Sequence, residues 1–150
     1  MDENAAREAL DGALSTYEQA FGTFFLARLL GFEISYGEGR CIIRMPVRDF
    51  LFNPQGTLHG GVIAAIMDTS MGHLLHHESG VGGATLEMKI QYLRPIRQGT
   101  VQCEAQFLRR GRSIAFIEAR LKDDEGELAA VASATWKPGE AARSSGKVGS

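Results

Sequence analysis

Apolar and polar residues repeat with two different periods along this chain. In residues 4–30 the apolar side chains recur three and four positions apart, which is the period of a helix. Gly12 and Gly22 weaken that pattern, and Gly31 is a natural helix stop. In residues 100–109 apolar and polar side chains alternate, as they do in a strand with one buried face. The sequence therefore predicts both helices and strands.

Segments of strand length lie on both sides of one longer apolar stretch. The first two are joined by Gly37-Glu38-Gly39, which favours a hairpin. The later ones are separated by short turns that carry glycine, proline or charge, which indicates a meander. The predicted strands are residues 32–36, 40–47, 84–93, 100–109, 113–122 and 128–136.

The longer apolar stretch, residues 62–77, has helical character and is apolar on nearly every side. A helix of this kind belongs in a core, because no face of it favours water. A single curved antiparallel sheet wrapped around it would cover it on all sides. We therefore predict an α+β hotdog fold in one domain over residues 1–137, with an N-terminal helical segment in residues 1–30. Residues 138–150 turn to glycine, alanine, serine and charge, which predicts a disordered tail.

Composition narrows the classes of partner. A net charge of −2 over 150 residues gives no electrostatic case for nucleic acid or an anionic membrane as the main partner. The N-terminus lacks the basic start and apolar block of a secretory signal, and the apolar runs are too short to span a membrane. Cys41 and Cys103 lie in alternating apolar stretches without metal-type spacing, which predicts two buried thiols. We expect a soluble cytoplasmic protein.

The segment from Asn53 to Gly61, Asn-Pro-Gln-Gly-Thr-Leu-His-Gly-Gly, carries the strongest chemical signal. A helix that begins at His59 or Gly60 presents unpaired backbone N–H groups and the positive end of its dipole. Glycine there lets a ligand oxygen approach the backbone closely. Such a site suits a thioester carbonyl that becomes an oxyanion, and one such donor is worth roughly 2.7–4 kcal/mol in the transition state.

Asp68 lies in the middle of the apolar helix, where an aspartate without a partner would be costly. A local hydrogen-bonding kink with Thr69 and Ser70 explains it as well as a catalytic role does. Gly60 precedes Asp68 by eight residues, or about 12 Å along a helix. One substrate carbonyl therefore cannot touch both in the same chain. If the two cooperate, Asp68 must come from a second copy whose helix runs antiparallel, as in a two-fold dimer.

The pattern N-P-x-G-x-x-H-G-G, with an aspartate seven residues after the last glycine, resembles the phenylacetate-pathway branch of the hotdog acyl-CoA thioesterases. This branch belongs to the 4-hydroxybenzoyl-CoA thioesterase superfamily. Residues 85–95 are similar to the third strand of that family, and residues 109–113 to its next turn. The resemblance covers about residues 20 to 137. It implies hydrolysis of an acyl- or aryl-CoA to free acid and CoA by a homodimer that pairs into a tetramer, without cofactor or metal.

The resemblance also implies roles for the residues that match. Gly60, with Gly61 as a second donor, would donate backbone N–H to the thioester carbonyl. Asp68 would activate water or attack the carbonyl directly. Both routes are open to a carboxylate at neutral pH, because a thioester is already activated and its thiolate leaves readily.

Further residues would bind and orient the substrate. Asn53 and His59 would orient it and its thiol leaving group, and Thr85 would hold the water or the carboxylate. Arginines at turns could bind the CoA phosphates, although a solvated turn explains them equally well. The candidate phosphate-binding residues are Arg94, Arg109, Arg110, Arg112 and the neighbouring Ser113.

Three other interpretations remain beside this one. A non-catalytic acyl-CoA-binding hotdog domain would keep the same groove, and a hotdog dehydratase or hydratase would act on similar thioesters. A metal site at His73, His76 and His77 has suitable helical spacing but lacks an evident fourth ligand. Several apolar residues would line an acyl pocket or simply pack in the core, namely Leu51, Phe52, Met67, Met71 and Leu75.

Overall fold

The computed structural model describes residues 1–140, and in them all the predicted strands join one antiparallel sheet. The order of the strands across the sheet is β1-β2-β4-β5-β6-β3. This arrangement around one long helix is the hotdog fold that the sequence predicts. The strands are β1 (Glu33–Gly37), β2 (Arg40–Pro46), β3 (Gly83–Tyr92), β4 (Thr100–Arg110), β5 (Ala115–Lys122) and β6 (Leu128–Pro138).

The long helix, α3, runs over Gly60–Ser79 and packs its most apolar side against the sheet. Its fully buried residues include Ile66, Met67 and Met71. The expectation that the sheet covers the helix on all sides is wrong. The opposite side of α3 stays half-buried at Ala65, Asp68 and Thr69, because one sheet curls around only part of the helix.

The N-terminal segment forms two helices, and Gly22, one of the two glycines that weaken its helical pattern, lies in the interruption. The helices are α1 (Glu3–Thr16) and α2 (Phe25–Leu30). Gly12 stays inside α1, whereas Gly22 lies in the intervening loop with a φ of 85°. Gly31 ends α2 in the left-handed conformation with a φ of 73°, as predicted. The loop of residues 17–24 crosses over α3, so tertiary contacts replace the helical hydrogen bonds there.

Both cysteines belong to the core, as predicted. Cys41 and Cys103 are completely buried and free. Burial raises the pKa of each thiol to about 12. Both groups therefore stay protonated at neutral pH and are not nucleophiles.

The C-terminal end of the sheet extends further than predicted. Pro138 is the last residue of β6 and pairs with Gly83, and the Gly139 N–H donates to the Gly82 carbonyl at 2.6 Å. A disordered tail from residue 138 is therefore wrong for these two residues, because strand pairing outweighs local composition. The rest of the predicted tail, residues 141–150, lies outside the described residues. No helix within residues 1–140 is long and apolar enough to cross a membrane.

Candidate active site

The start of α3 leaves one backbone donor free. His59 caps the helix, and its Nδ1 accepts the Gly61 N–H at 2.8 Å. The Gly60 N–H has no acceptor among residues 1–140. Gly60 therefore has the N–H that is free to donate to a ligand oxygen, whereas Gly61 would have to exchange its bond to His59, and contact with a substrate carbonyl stays a prediction for both. A Cβ at Gly60 would lie 3.3 Å from the Tyr92 ring, which explains the need for a small residue there.

Asn53 shapes the loop that leads into this helix. Its Oδ1 accepts the backbone N–H groups of Gln55 and Thr57 at 2.9 and 3.2 Å. Its Nδ2 donates to the Thr57 hydroxyl at 2.9 Å. An asparagine that bonds the backbone two residues onward stabilises a turn. Asn53 thus fixes the approach to Gly60, and direct contact with substrate stays a prediction for it.

A groove of about 300 Å³ opens in front of Gly60. Asn53 and Arg94 line it together with Tyr92, whose hydroxyl donates to the Gly60 carbonyl at 2.9 Å. Arg94 is exposed, and its Nη2 lies 3.6 Å from Glu127 Oε2. The groove therefore combines a free N–H, polar side chains and a cation. Sequence reasoning missed Tyr92, because no local pattern shows that the end of β3 reaches the start of α3.

Asp68 is held from another part of the chain. The Thr85 hydroxyl on β3 donates to Asp68 Oδ1 at 2.6 Å, so Thr85 contacts the carboxylate itself. The second carboxylate oxygen, Oδ2, has no partner within the described part of the chain. The position of Asp68 in an apolar helix suggests burial, but Asp68 is only half-buried, because it lies on the half-covered side of α3. Ser70 bonds the Met67 carbonyl and leaves Asp68 alone, so a local kink does not account for the aspartate.

A second and larger pocket, of about 500 Å³, opens beside Asp68. It lies between the loop of residues 17–24 and α3, and its walls include the rings of Phe21, Phe24 and Trp136. The apolar residues proposed from the sequence for this purpose do not line it, and Met67, Met71 and Leu75 are core residues. Sequence reasoning had no signal for the aromatic walls, because they come together from the two ends of the chain.

The two pockets share no lining residue. Gly60 and Asp68 belong to the same helix and are separated by eight residues, or about 12 Å of rise. Within one chain the free N–H and the carboxylate therefore lie at two separate pockets.

The three neighbouring histidines contact aromatic rings. His76 stacks on Phe21 with ring centroids 3.7 Å apart, and His77 stacks on Tyr36 at 3.9 Å. His73 is buried, and its Nε2 accepts the Gly22 N–H at 2.9 Å. In residues 1–140 no group of three or more histidine, cysteine, aspartate or glutamate side chains is placed to hold a metal ion.

The candidate arginines lie at opposite ends of α3. Arg94 borders the groove at Gly60, whereas Arg112 borders a pocket beside Ser79, the last residue of the helix. A helix of 20 residues separates these ends by roughly 30 Å. Arg109 and Ser113 flank the same distant turn between β4 and β5. A single chain therefore does not gather these residues, which were proposed together from the sequence, into one phosphate site.

Residues 55–130, which contain the helix start, Asp68 and Thr85, match the thioesterase superfamily. The chain belongs to this superfamily. It is accordingly a thioester hydrolase, and the resemblance seen in its sequence is confirmed. A candidate esterase of Saccharolobus solfataricus is 31% identical over 104 residues, which are 69% of this chain and 74% of that protein. Human acyl-coenzyme A thioesterase 13 is 34% identical over 90 residues, 59% of this chain and 64% of that protein.

Solved structures agree with this assignment. A thioesterase of Haemophilus influenzae superposes with a TM-score of 0.70 at 28% identity, covering 93% of this chain and 91% of its own. A Bacillus halodurans protein solved with CoA has the same fold, with a TM-score of 0.81 at 24% identity over 93% of each chain. The E. coli PaaI protein of the phenylacetic acid degradation operon also shares the fold, with a TM-score of 0.74 at 20% identity over 90% of this chain and 96% of its own.

Proposed function

We propose that this thioester hydrolase cleaves acyl-CoA to the free acid and CoA, at two equivalent sites that each combine groups from two chains. The carrying observation is that the free Gly60 N–H and the Asp68 carboxylate lie in one helix but in separate pockets. The human relative is an acyl-coenzyme A thioesterase, and the Bacillus halodurans protein was solved with CoA, and both support CoA as the thiol arm.

The edge of the sheet supports a dimer. β3 is an outer strand that pairs only with β6 within the described residues, so its other edge has unpaired backbone groups. Leu86 and Tyr92 on this strand are 54% and 53% exposed. A long edge strand with exposed apolar residues is a template for another chain. We therefore place the second copy against β3.

The symmetry of such a dimer would complete the site. A two-fold axis that pairs two copies of β3 antiparallel also sets the two α3 helices antiparallel, because each α3 packs on its own sheet. Gly60 of one protomer then faces the partner's Asp68, and the reverse holds at the second site. A thioester carbonyl between them accepts the Gly60 N–H and meets the carboxylate from the other side.

The geometry supports a separate part in the reaction for each group. Thr85 occupies one oxygen of Asp68 and leaves the other for a water molecule. As the water oxygen bonds to the carbonyl carbon, Asp68 takes its proton, and the negative charge on the carbonyl oxygen is stabilised by Gly60. Collapse breaks the C–S bond and releases the acid and the thiolate. If Asp68 instead attacks the carbonyl carbon itself, Gly60 stabilises the same oxyanion and the thiolate leaves to give a mixed anhydride. Water then hydrolyses this anhydride.

In this proposal His59 donates a hydrogen bond to the leaving sulfur, and the released thiolate takes its proton from water. The Nδ1 of His59 accepts the Gly61 N–H, so the neutral imidazole carries its proton on Nε2. That nitrogen is the free end of an exposed side chain next to Gly60. Arg94 in the same groove is the cation best placed for the CoA arm, and Arg109 and Arg112 reach this site only from another chain.

We extend the dimer to a tetramer on the outer face of the sheet, where Leu108 and Phe116 are 58% and 42% exposed. These two side chains lie on neighbouring strands, β4 and β5, and form the apolar patch that a second dimer would cover. Sedimentation at several concentrations measures this directly, and a species no larger than a dimer at all of them contradicts the extension.

Release of free thiol from a panel of acyl-CoA substrates tests the function. The wild-type protein should release CoA, and Asp68→Asn should lower turnover at least about a hundredfold, the scale of a lost acid–base group. Asn is the matched variant because it keeps the size of the side chain and an oxygen for Thr85. A fully active Asp68→Asn protein would remove the mechanism.

A further inference from the structure

We propose that the pocket beside Asp68 holds the acyl group, that it accepts only uncharged apolar acyl groups, and that Phe21 limits their size. This inference rests on the proposed function, because it uses Asp68 as the group that meets the thioester carbonyl. It assigns the two pockets to the two arms of the substrate and names the class of acyl group.

The chemistry of the two pockets distinguishes the arms. A thioester has an apolar acyl arm and a polar CoA arm, which leave the same carbonyl in opposite directions. The groove at Gly60 contains Arg94, Asn53 and the Tyr92 hydroxyl. The pocket at Asp68 has mostly apolar walls, among them the rings of Phe21, Phe24 and Trp136, and its volume of about 500 Å³ suits a small organic group. The acyl arm therefore fits the pocket of the protomer that supplies the carboxylate.

The charges in this pocket exclude a second carboxylate. Asp68 and His73 are its ionisable lining residues, and no lysine or arginine is present among the described residues that line it. His73 uses both ring nitrogens internally, since Nε2 accepts from Gly22 and Nδ1 lies 3.0 Å from the Thr69 carbonyl. Burial lowers the pKa of His73, which favours the neutral ring. A negatively charged acyl group would thus be desolvated beside Asp68 without a cation.

Phe21 is a fixed wall of the pocket. Its ring stacks on His76 at 3.7 Å and meets the edge of His73 at 5.0 Å. The hydrogen bond from the Gly22 N–H to His73 anchors the same loop to α3. Phe21 as a whole is 48% exposed, so removal of the ring opens the pocket to solvent. The opposite wall, Trp136, packs so closely on Gly72 that a Cβ there would lie 3.0 Å away.

The first arm of the test uses matched substrates on the wild-type protein. Butyryl-CoA and succinyl-CoA have acyl chains of the same length and differ by a terminal carboxylate. We expect kcat/KM to favour butyryl-CoA at least about a hundredfold, the scale of an unpaired buried charge. From acetyl- to butyryl-CoA, kcat/KM should rise about fourfold for each methylene. Equal rates with butyryl- and succinyl-CoA overturn the proposal.

The second arm uses variants and ratios of kcat/KM. Phe21→Ala should let acyl chains longer than the wild type accepts react with a kcat/KM close to that of the longest wild-type substrate, because the added methylenes pass through the opened wall into solvent and gain no burial. Ala65→Phe, which fills the pocket, should lower the ratio of butyryl- to acetyl-CoA. Phe116→Ala is the matched control, because it removes the same ring from the outer face of the sheet. Leu93→Ala changes the groove at Gly60. Both variants should leave the acyl ratios unchanged.

The outcomes separate this inference from the function on which it rests. The acyl pocket alone is overturned if the protein releases thiol but neither Phe21→Ala nor Ala65→Phe changes the acyl ratios. It is also overturned if Leu93→Ala changes those ratios instead. No thiol release by the wild type from any of these thioesters overturns the proposed function and the acyl pocket together.

Discussion

The first turn of α3 and its middle are built in different ways. At the first turn, the cap, the loop and the free donor come from residues close in sequence, such as Asn53, His59 and Gly60. In the middle, Asp68 depends on Thr85 in β3 and on a pocket wall from the N-terminal loop. In the proposed dimer these two regions are the two half-sites. The donor of the first is held by local structure, although Tyr92 and Arg94 come from farther along the chain to line its groove, whereas the carboxylate of the second is held by distant parts of the chain.

This difference has a functional consequence. Removal of a single group at the start of α3, such as the Gly60 N–H, should leave its surroundings in place, because nearby residues hold the loop and the cap. The position of Asp68 should instead shift when β3 or the N-terminal loop is altered, because these parts hold the carboxylate and wall its pocket. Variants at the two places should therefore differ in how much they alter turnover and how much they alter stability.

The largest effect is expected at Gly60. Gly60→Pro removes the N–H at the first helical position, where proline is well tolerated. Gly60→Ala is the matched variant, because it keeps the N–H and, like proline, brings a Cβ close to the Tyr92 ring. We expect the proline variant to have a kcat lower than the alanine variant by about 10²–10³-fold, the scale of one oxyanion donor. Equal kcat values in a thiol-release assay would show that the Gly60 N–H does not act in the transition state.

A smaller effect is expected at Thr85. Thr85→Val keeps the shape of the side chain and removes the hydroxyl that bonds Asp68 Oδ1. A hydrogen bond to a charged group is worth about 1.5–3 kcal/mol, so kcat should fall by roughly ten- to a hundredfold. Thr85→Ser should restore most of the activity. If Thr85→Ser is as slow as Thr85→Val, the hydroxyl is not what positions the carboxylate.

The smallest effect concerns the pH dependence of stability. Burial lowers the pKa of His73 below its ordinary 6.5, with a further decrease from His76 and an opposing increase from its bond to Thr69. The unfolded chain therefore binds this proton more readily, so the contribution of His73 is full above pH 6.5 and is lost as the pH falls below it. Between about pH 7.5 and 5.5 the Tm of His73→Gln should fall less than that of the wild type. Parallel Tm curves would contradict this coupling of the N-terminal loop to α3.

The same division explains what the sequence predicts. The strands, the helix start and the polar loop follow from periodicity and from glycine and asparagine positions, which are local signals. The break in the N-terminal helix follows only in part. Gly22 weakens the pattern, but Tyr17 and Phe21 still fit a helical period, so the sequence leaves the break open until contacts with α3 are known. Thr85 could be assigned only by resemblance, since nothing near it in sequence shows that it reaches Asp68.

The half-cover of α3 is also beyond sequence periodicity. A helix that is apolar all round predicts burial on every side, yet Asp68 lies on a side that the sheet of its own chain leaves half-open. A second copy of the chain would account for both observations. In that case a partner protomer would bury the apolar residues on this side of α3. The periodicity of a single chain does not distinguish such an interface from a core.

Mixing two inactive variants tests the shared site most directly. Asp68→Ala and Gly60→Pro each disable both sites of their own dimers, and sedimentation should first show that each variant forms dimers alone. After coexpression or joint refolding, half of the dimers should be mixed, and each mixed dimer has one intact site. The account predicts about a quarter of the wild-type activity. Activity that stays at the level of the separate variants would contradict a site formed by two chains.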